Sequence, residues 1–501
     1  MRNSSVGVIT HIVNAALSFV ARTIFIRVLG VEYLGISGLF SNILTMLALS
    51  DLGIYTVMTY SLYKPIAKDD KPMIAALIHY FQRLYNIVGI AVLCIGVSLI
   101  PFLPKLVNDT SLTFYELSKY YIILLLNSVV SYFAISRSTL FRADQKVYIV
   151  RIISTISTFA MHIAQIVLLI AFKNFTIYLA SQVIFTLGSN IAMSVLATKK
   201  YPYLAEPVDT NLTRGMTKEI IHNLKASFIY KIGSKIMNST DNILISVLIS
   251  TTVVGYYSNY VTVFSLVNTF VMIIIEAVLA SVGNFIATES ADRKFGLFKL
   301  MLFVLYFTAA FCVSCYLAGM NDFIGIWLGE NFIINGGFII ALALNRFVFC
   351  IIHPLWMMRE SSGIFISTQY VMLFASAINI VLSVILGKML GITGIILATA
   401  LANLLTVYWY EPIQLSKKVF NNKVIEYWRY VARLLCATVP SIVVGLFLLS
   451  YETRNFFILL TKFLFCGLIT LVSFILAMHK TDEYHVLKLQ IMNMLKKNAR
   501  G

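Results

Sequence analysis

An α-helix needs roughly 20 consecutive, mostly apolar residues to cross the hydrocarbon layer of a bilayer, and this chain repeats that pattern along its whole length. Such stretches lie near 6–29, 35–62, 75–100, 119–141, 147–171, 176–197, 224–249, 253–281, 297–319, 333–358, 364–388, 392–412, 430–450 and 455–478. They predict an all-α polytopic membrane protein with about fourteen transmembrane helices. The composition agrees. Of 501 residues, 59% are hydrophobic and 12% charged, against roughly 45–50% and 25% in soluble domains. The first stretch contains Arg22 and no small-residue cleavage site follows it, so it reads as a retained span and not a removable leader.

The formal charge of +17 raises nucleic acid as a partner, but its distribution points elsewhere. With the N-terminus placed inside, the clusters Lys64/Lys68/Lys71, Arg137/Arg142/Lys146/Arg151, Lys199/Lys200 and Lys417/Lys418/Lys423 all fall on the cytoplasmic side. That is the positive-inside pattern, and an even number of spans then returns the C-terminus to the cytoplasm. The clusters meet the anionic inner leaflet, and no nucleic-acid partner is needed to explain them. The six cysteines all lie inside predicted spans, where a thiol packs as a small apolar group. Cys312 and Cys315 have CxxC spacing without a second pair of ligands nearby, so packing is expected there and not a metal. No nucleophile elbow, phosphate-binding glycine loop or HExxH occurs in a plausible context, so neither enzymatic activity nor a cofactor is expected.

The longest connection between spans, about 198–223, carries Pro202, Pro207 and mixed charges, and separates two sets of six spans. A shift of about 217–220 residues aligns the sets. "IFIRVLGVEYLG" (24–35) meets "ILISVLISTTVVG" (243–255) with one inserted residue, and "FRADQKVYIV" (141–150) meets "MRESSGIFIS" (358–367). The expected organisation is an N-terminal six-helix lobe (1–198), a cytoplasmic linker (199–223) and a pseudo-symmetric six-helix lobe (224–415). Helices 13 and 14 follow with a cytoplasmic tail (416–501). A six-helix repeat relates the lobes by an axis along the membrane normal, and the substrate path is expected between them.

A charge at the bilayer centre costs roughly 2.5–3.5 kcal/mol on insertion scales, so buried charges normally face protein or a hydrated cavity. Four basic residues stand out within spans: Arg22, Lys231, Lys235 and Arg346. On the first span His11, Asn14, Ser18 and Arg22 recur in three- and four-residue steps and share one face. The seventh span repeats the device with Lys231, Ser234, Lys235, Asn238, Asp241 and Asn242. Two such stripes facing one another would line a cationic cleft suited to an anionic head group. His11, Asn14, Ser18, Asn238 and Asn242 would provide its polar lining. The acidic residues Asp51, Asp241 and Glu276 either neutralise these charges or bind a coupling proton or sodium ion. Plainer readings stand beside these: an Arg22 ion pair with Asp51 or Asp241, snorkelling of Lys231 and Lys235, and satisfaction of Arg346 by a nearby carbonyl or carboxylate. His79, His162 and His353 read as polar packing.

The segment "SFVARTIFIRVLGVEYLGISGLFSNILTMLALSDLGIYTVM" (18–58), "TDNILISVLISTTVVGYYSNY" (240–260) and "FRADQKVYIV" together resemble polysaccharide flippases of the multidrug/oligosaccharidyl-lipid/polysaccharide exporter superfamily. Within it the chain is similar to the O-antigen, capsule and exopolysaccharide flippases, bacterial inner-membrane proteins of two six-helix lobes. The resemblance implies movement of an undecaprenyl-pyrophosphate-linked oligosaccharide from the cytoplasmic to the outer leaflet, with polysaccharide polymerase and assembly proteins as partners besides membrane lipids. Arg22 matches a cavity arginine of the related lipid II flippases. Thr23 stands where those carry Asp, and their arginine cluster late in the second helix is absent, which points away from lipid II. The rival readings are a multidrug exporter of the same superfamily, a membrane-embedded polysaccharide polymerase, and a non-transporting scaffold.

Overall fold

The computed structural model describes residues 2–47, 54–132, 135–144, 146–204, 212, 214–279, 289–334, 336–362, 364 and 366–498. On the helices, several side chains, among them 2–13 and 266–279, lie outside the description. Among the described residues the chain is helical throughout, without a β-strand. It divides into two compact units, residues 1–258 and 259–501.

The first unit contains α1 (Arg2–Leu29), α2 (Val31–Leu47), α3 (Ile54–Ala67), α4 (Lys71–Ser98), α5 (Phe114–Ser131), α6 (Ile135–Ala143), α7 (Val147–Phe172), α8 (Phe175–Lys200) and α9 (Arg214–Leu248), with the first turns of α10 (Thr251–Leu279). Local chemistry sets the ends. Gly30 separates α1 from α2 with φ +92°, a conformation glycine reaches without a Cβ clash. Asp70 caps α4 by accepting from the Met73 N–H, ahead of a proline in its first turn. Thr113 and Glu116 close a reciprocal capping box on α5. In the packing, α1 lies on α7, α7 and α5 on α8, and α9 on α2 and α3. Phe25, Tyr33, Tyr120, Phe175 and Tyr178 form an edge-to-face aromatic cluster joining α1, α2, α5 and α8.

The second unit is organised on α11 (Ala291–Leu328), a 38-residue helix with 61% of its apolar window buried. At 1.5 Å per residue a helix this long exceeds the bilayer core. Around it stand α12 (Gly336–Ser361), α13 (Val371–Leu390), α14 (Ile392–Leu405), α15 (Val407–Lys418), α16 (Val424–Leu449), α17 (Phe456–Met478) and α18 (Asp482–Asn498). Helices α12, α16 and α17 pack directly on α11, and α18 touches it. Gly445 lets α16 approach closely: a Cβ there would lie 2.9 Å from the Ser314 carbonyl oxygen.

Nine helices among the described residues are long and apolar enough to cross a membrane, or ten if the bent pair α5–α6 is one span. The expected spans outside that set are α1, α2–α3, α9 and α10. Polar residues thin the apolar content of α9, while α1, α2–α3 and α10 run into residues outside the description. The chain is a multi-pass membrane protein.

Candidate functional site

The polar face of α1 carries Asn14, Ser18 and Arg22, all half-buried. The Arg22 guanidinium donates to Ser258 Oγ at 2.5 Å, and the Ser258 hydroxyl donates in turn to the Gly255 carbonyl at 2.7 Å. This contact bridges α1 and the start of α10 within the first unit. Tyr178 is an electrostatic neighbour of Arg22, and its ring packs against Phe25 at 4.9 Å. On α9, Lys231, Ser234, Lys235, Asp241 and Asn242 are half-buried. The carbonyl oxygens of Asn14 and Asn242 are buried without a hydrogen-bond partner among the described residues.

Thus Arg22, Lys231, Lys235, Asn14, Ser18, Asp241 and Asn242 share the first unit, whereas Arg346 belongs to the second. Arg346 projects from α12, its guanidinium 3.9 Å above the centre of the Phe264 ring. Asp51 lies outside the described residues. His11, Asn238 and Glu276 sit on described helices, with side chains outside the description.

The first unit contains a dense contact between α2 and α10. Gly35 on α2 and Gly255 on α10 cross backbone to backbone: a Cβ on Gly35 would stand 2.0 Å from the Thr251 carbonyl oxygen, and one on Gly255 2.4 Å from that of Val31. Small residues permit such approach between membrane helices. In the repeat alignment expected from the sequence these two glycines fall opposite each other. Around them the Asn108 N–H donates to the Thr251 hydroxyl and the Thr251 N–H to the Asn108 carbonyl, both at 3.0 Å. Ser246 donates to the Leu106 carbonyl at 2.7 Å, and Ser250 to Asp109 at 3.1 Å. The Glu32 carboxylate accepts from the Thr110 hydroxyl at 2.7 Å and the Ser111 N–H at 2.6 Å. Partial burial alone would raise the Glu32 carboxyl, yet these hydrogen bonds outweigh it and hold the group below its ordinary value.

Two buried charge pairs went unread in the sequence. Lys462 on α17 donates to Asp322 on α11 at 2.7 Å, although it stands inside a predicted span and the rule that singled out Arg22 applies to it equally. Arg359 faces Glu411 at 3.5 Å with both side chains almost wholly buried. Each lies at the edge of its predicted span, where a charge raises no alarm.

A family model described as polysaccharide biosynthesis protein matches residues 1–280. The chain belongs to that family. No curated protein matches the sequence, but solved structures do. The lipid II flippase MurJ in an inward closed conformation is 16% identical with a TM-score of 0.68, covering 93% of this chain and 97% of its own. An inward-facing multidrug resistance MATE family transporter of the MOP superfamily is 16% identical with a TM-score of 0.60, covering 80% and 95%. The MATE multidrug transporter DinF-BH is also 16% identical with a TM-score of 0.60, covering 84% and 96%. This member of the polysaccharide biosynthesis family therefore has the fold of MOP superfamily transporters and flippases.

Proposed function

We propose that the protein is a flippase carrying an undecaprenyl-pyrophosphate-linked oligosaccharide repeat unit from the inner to the outer leaflet of the bacterial cytoplasmic membrane, for capsule, O-antigen or exopolysaccharide synthesis. The carrying observation is Arg22, a half-buried guanidinium on the polar face of a membrane helix, in a chain of the polysaccharide biosynthesis family. Buried membrane charges are expensive and mark substrate paths, and a guanidinium matches pyrophosphate oxygens in shape and sign. In this reading Lys231, Lys235 and Arg346 add charge of the same sign, while His11, Asn14, Ser18, Asn238 and Asn242 hydrate the path.

The moving parts are two six-helix lobes, 1–198 and 224–415, joined by the linker 199–223, with 416–501 as an accessory pair of helices and a tail. Both termini are cytoplasmic. The Gly35/Gly255 crossing then serves as the outer closure of an inward-accessible state, and alternating access requires it to part. The head group and sugars travel in the polar interior while the polyprenyl tail stays in lipid. Asp51, Asp241 and Glu276 are the candidates for coupling to a proton or sodium gradient. Polysaccharide polymerase and assembly proteins are the proposed partners.

The MATE likeness keeps a drug exporter as the rival, but a cationic interior repels the cations such an exporter would bind. Reconstituted protein discriminates the two. Proteoliposomes should move lipid-linked oligosaccharide to the opposite leaflet and leave a cationic dye gradient untouched. Dye efflux without lipid movement would establish the rival.

A further inference from the structure

The second unit contains a cluster of side chains whose chemistry differs from that of the cationic stripes. Arg346, Phe349, His353 and Trp356 recur on α12 at steps of three, four and three residues, which places them along one face. Phe264 from α10 and Tyr316 from α11 complete the group. Ring centres lie 5.9 Å apart for Phe264 and Tyr316, 6.5 Å for Phe264 and Phe349, 5.7 Å for Phe349 and Trp356, and 6.0 Å for His353 and Trp356.

The polar heads of this group distinguish it from ordinary aromatic packing. Arg346 Nε, Tyr316 Oη, His353 Nδ1 and Trp356 Nε1 are all buried without a hydrogen-bond partner among the described residues. Buried Tyr and Trp usually find a partner, and each orphaned group costs about 1–3 kcal/mol. Phenylalanine or leucine would fill the same space without that penalty. Four such atoms within one aromatic cluster are groups that a hydroxyl-rich ligand would satisfy.

We propose that Phe264, Tyr316, Arg346, Phe349, His353 and Trp356 form a carbohydrate subsite that holds the sugar portion of the transported lipid. A pyranose ring offers an apolar C–H face to the aromatic rings and hydroxyls that both donate and accept. Those hydroxyls accept from the indole N–H and the guanidinium, and pair with the imidazole and phenol in either direction. Apolar walls with a few convergent polar groups are the usual make-up of a small-molecule site. The single cation is already engaged over the Phe264 ring, which suits a neutral, hydroxyl-rich ligand better than a pyrophosphate. The subsite rests on the flippase reading, and divides the labour within it: cationic stripes for the head group, this cluster for the glycan.

The test uses the full-length protein in nanodiscs, titrated with the host cell's lipid-linked oligosaccharide and with undecaprenyl pyrophosphate freed of sugar. The native protein should bind the glycan-bearing lipid more tightly than the bare one. Trp356→Phe keeps the ring but removes the N–H, and should weaken binding of the glycan-bearing lipid about fivefold to tenfold, as expected for a lost hydrogen bond, so that the preference collapses. Tyr316→Phe, a second conservative change, should act in the same direction. Arg22→Ala should weaken both lipids and preserve their ratio. An unchanged preference in both the Trp356 and Tyr316 variants overturns the subsite alone. Failure of the native protein to bind either lipid overturns the flippase reading with it.

Discussion

The Lys462 ammonium sits 2.7 Å from the Asp322 carboxylate, with the side chains 7% and 4% exposed. It also reaches the carbonyls of Ala318 and Tyr451, while Asp322 accepts from the Thr453 N–H at 2.9 Å. This ties α17 and the turn before it to α11. Asp322 also faces the partly exposed Arg454 guanidinium at 3.5 Å, so removing Lys462 strands the carboxylate in part, below the about 3–5 kcal/mol of a fully orphaned buried charge. Lys462→Met should therefore lower the thermal unfolding temperature markedly. Asp322→Asn in the same protein keeps an acceptor for Thr453 without the charge, and should recover most of the loss. A double variant no more stable than Lys462→Met would show that the pair is not what fixes the helix.

The Gly35/Gly255 crossing makes a second prediction. A Cβ on Gly35 would meet the Thr251 carbonyl oxygen, a backbone atom that cannot swing aside. Gly35→Ala should thus part α2 from α10 and reduce transport severalfold. Gly296→Ala, where nothing lies within 4 Å, is the control and should leave transport intact, since alanine is the better helix former. Equal effects from both changes would remove the close approach from the account.

The depressed Glu32 carboxyl predicts a pH dependence with a definite sign. A group whose folded value lies below its unfolded one contributes stability above the unfolded value, about 4.3 for glutamate, and loses it as pH falls through the folded value. The stability difference between the native protein and Glu32→Gln should be full at neutral pH and shrink on acidification within the acidic range. A difference that grows as pH falls would contradict the hydrogen bonds from Thr110 and Ser111 as its source.

Much of this was legible in the sequence because lipid imposes a simple rule: twenty apolar residues make a span, and the segments containing α4, α7, α8, α16 and α17 follow it directly. The polar face of α1 was equally readable, since Asn14, Ser18 and Arg22 recur at helical spacing. The partner of Arg22 was not. Ser258, which accepts from Arg22, is an unremarkable residue 236 positions away. The expected repeat alignment sets Gly35 opposite Gly255, but contact between aligned positions is a property of packing. The cluster around Trp356 was hidden for a similar reason, because aromatic residues are common in membrane helices and only the structure shows which polar heads go unpaired.

The most direct test of the central claim is transbilayer movement of lipid-linked oligosaccharide by native and Arg22→Ala protein, reconstituted at equal abundance. Loss of a charge-assisted contact of about 1.5–3 kcal/mol should slow translocation by one to two orders of magnitude, with Arg22→Lys retaining part of the rate. Full activity in Arg22→Ala would contradict the cationic path.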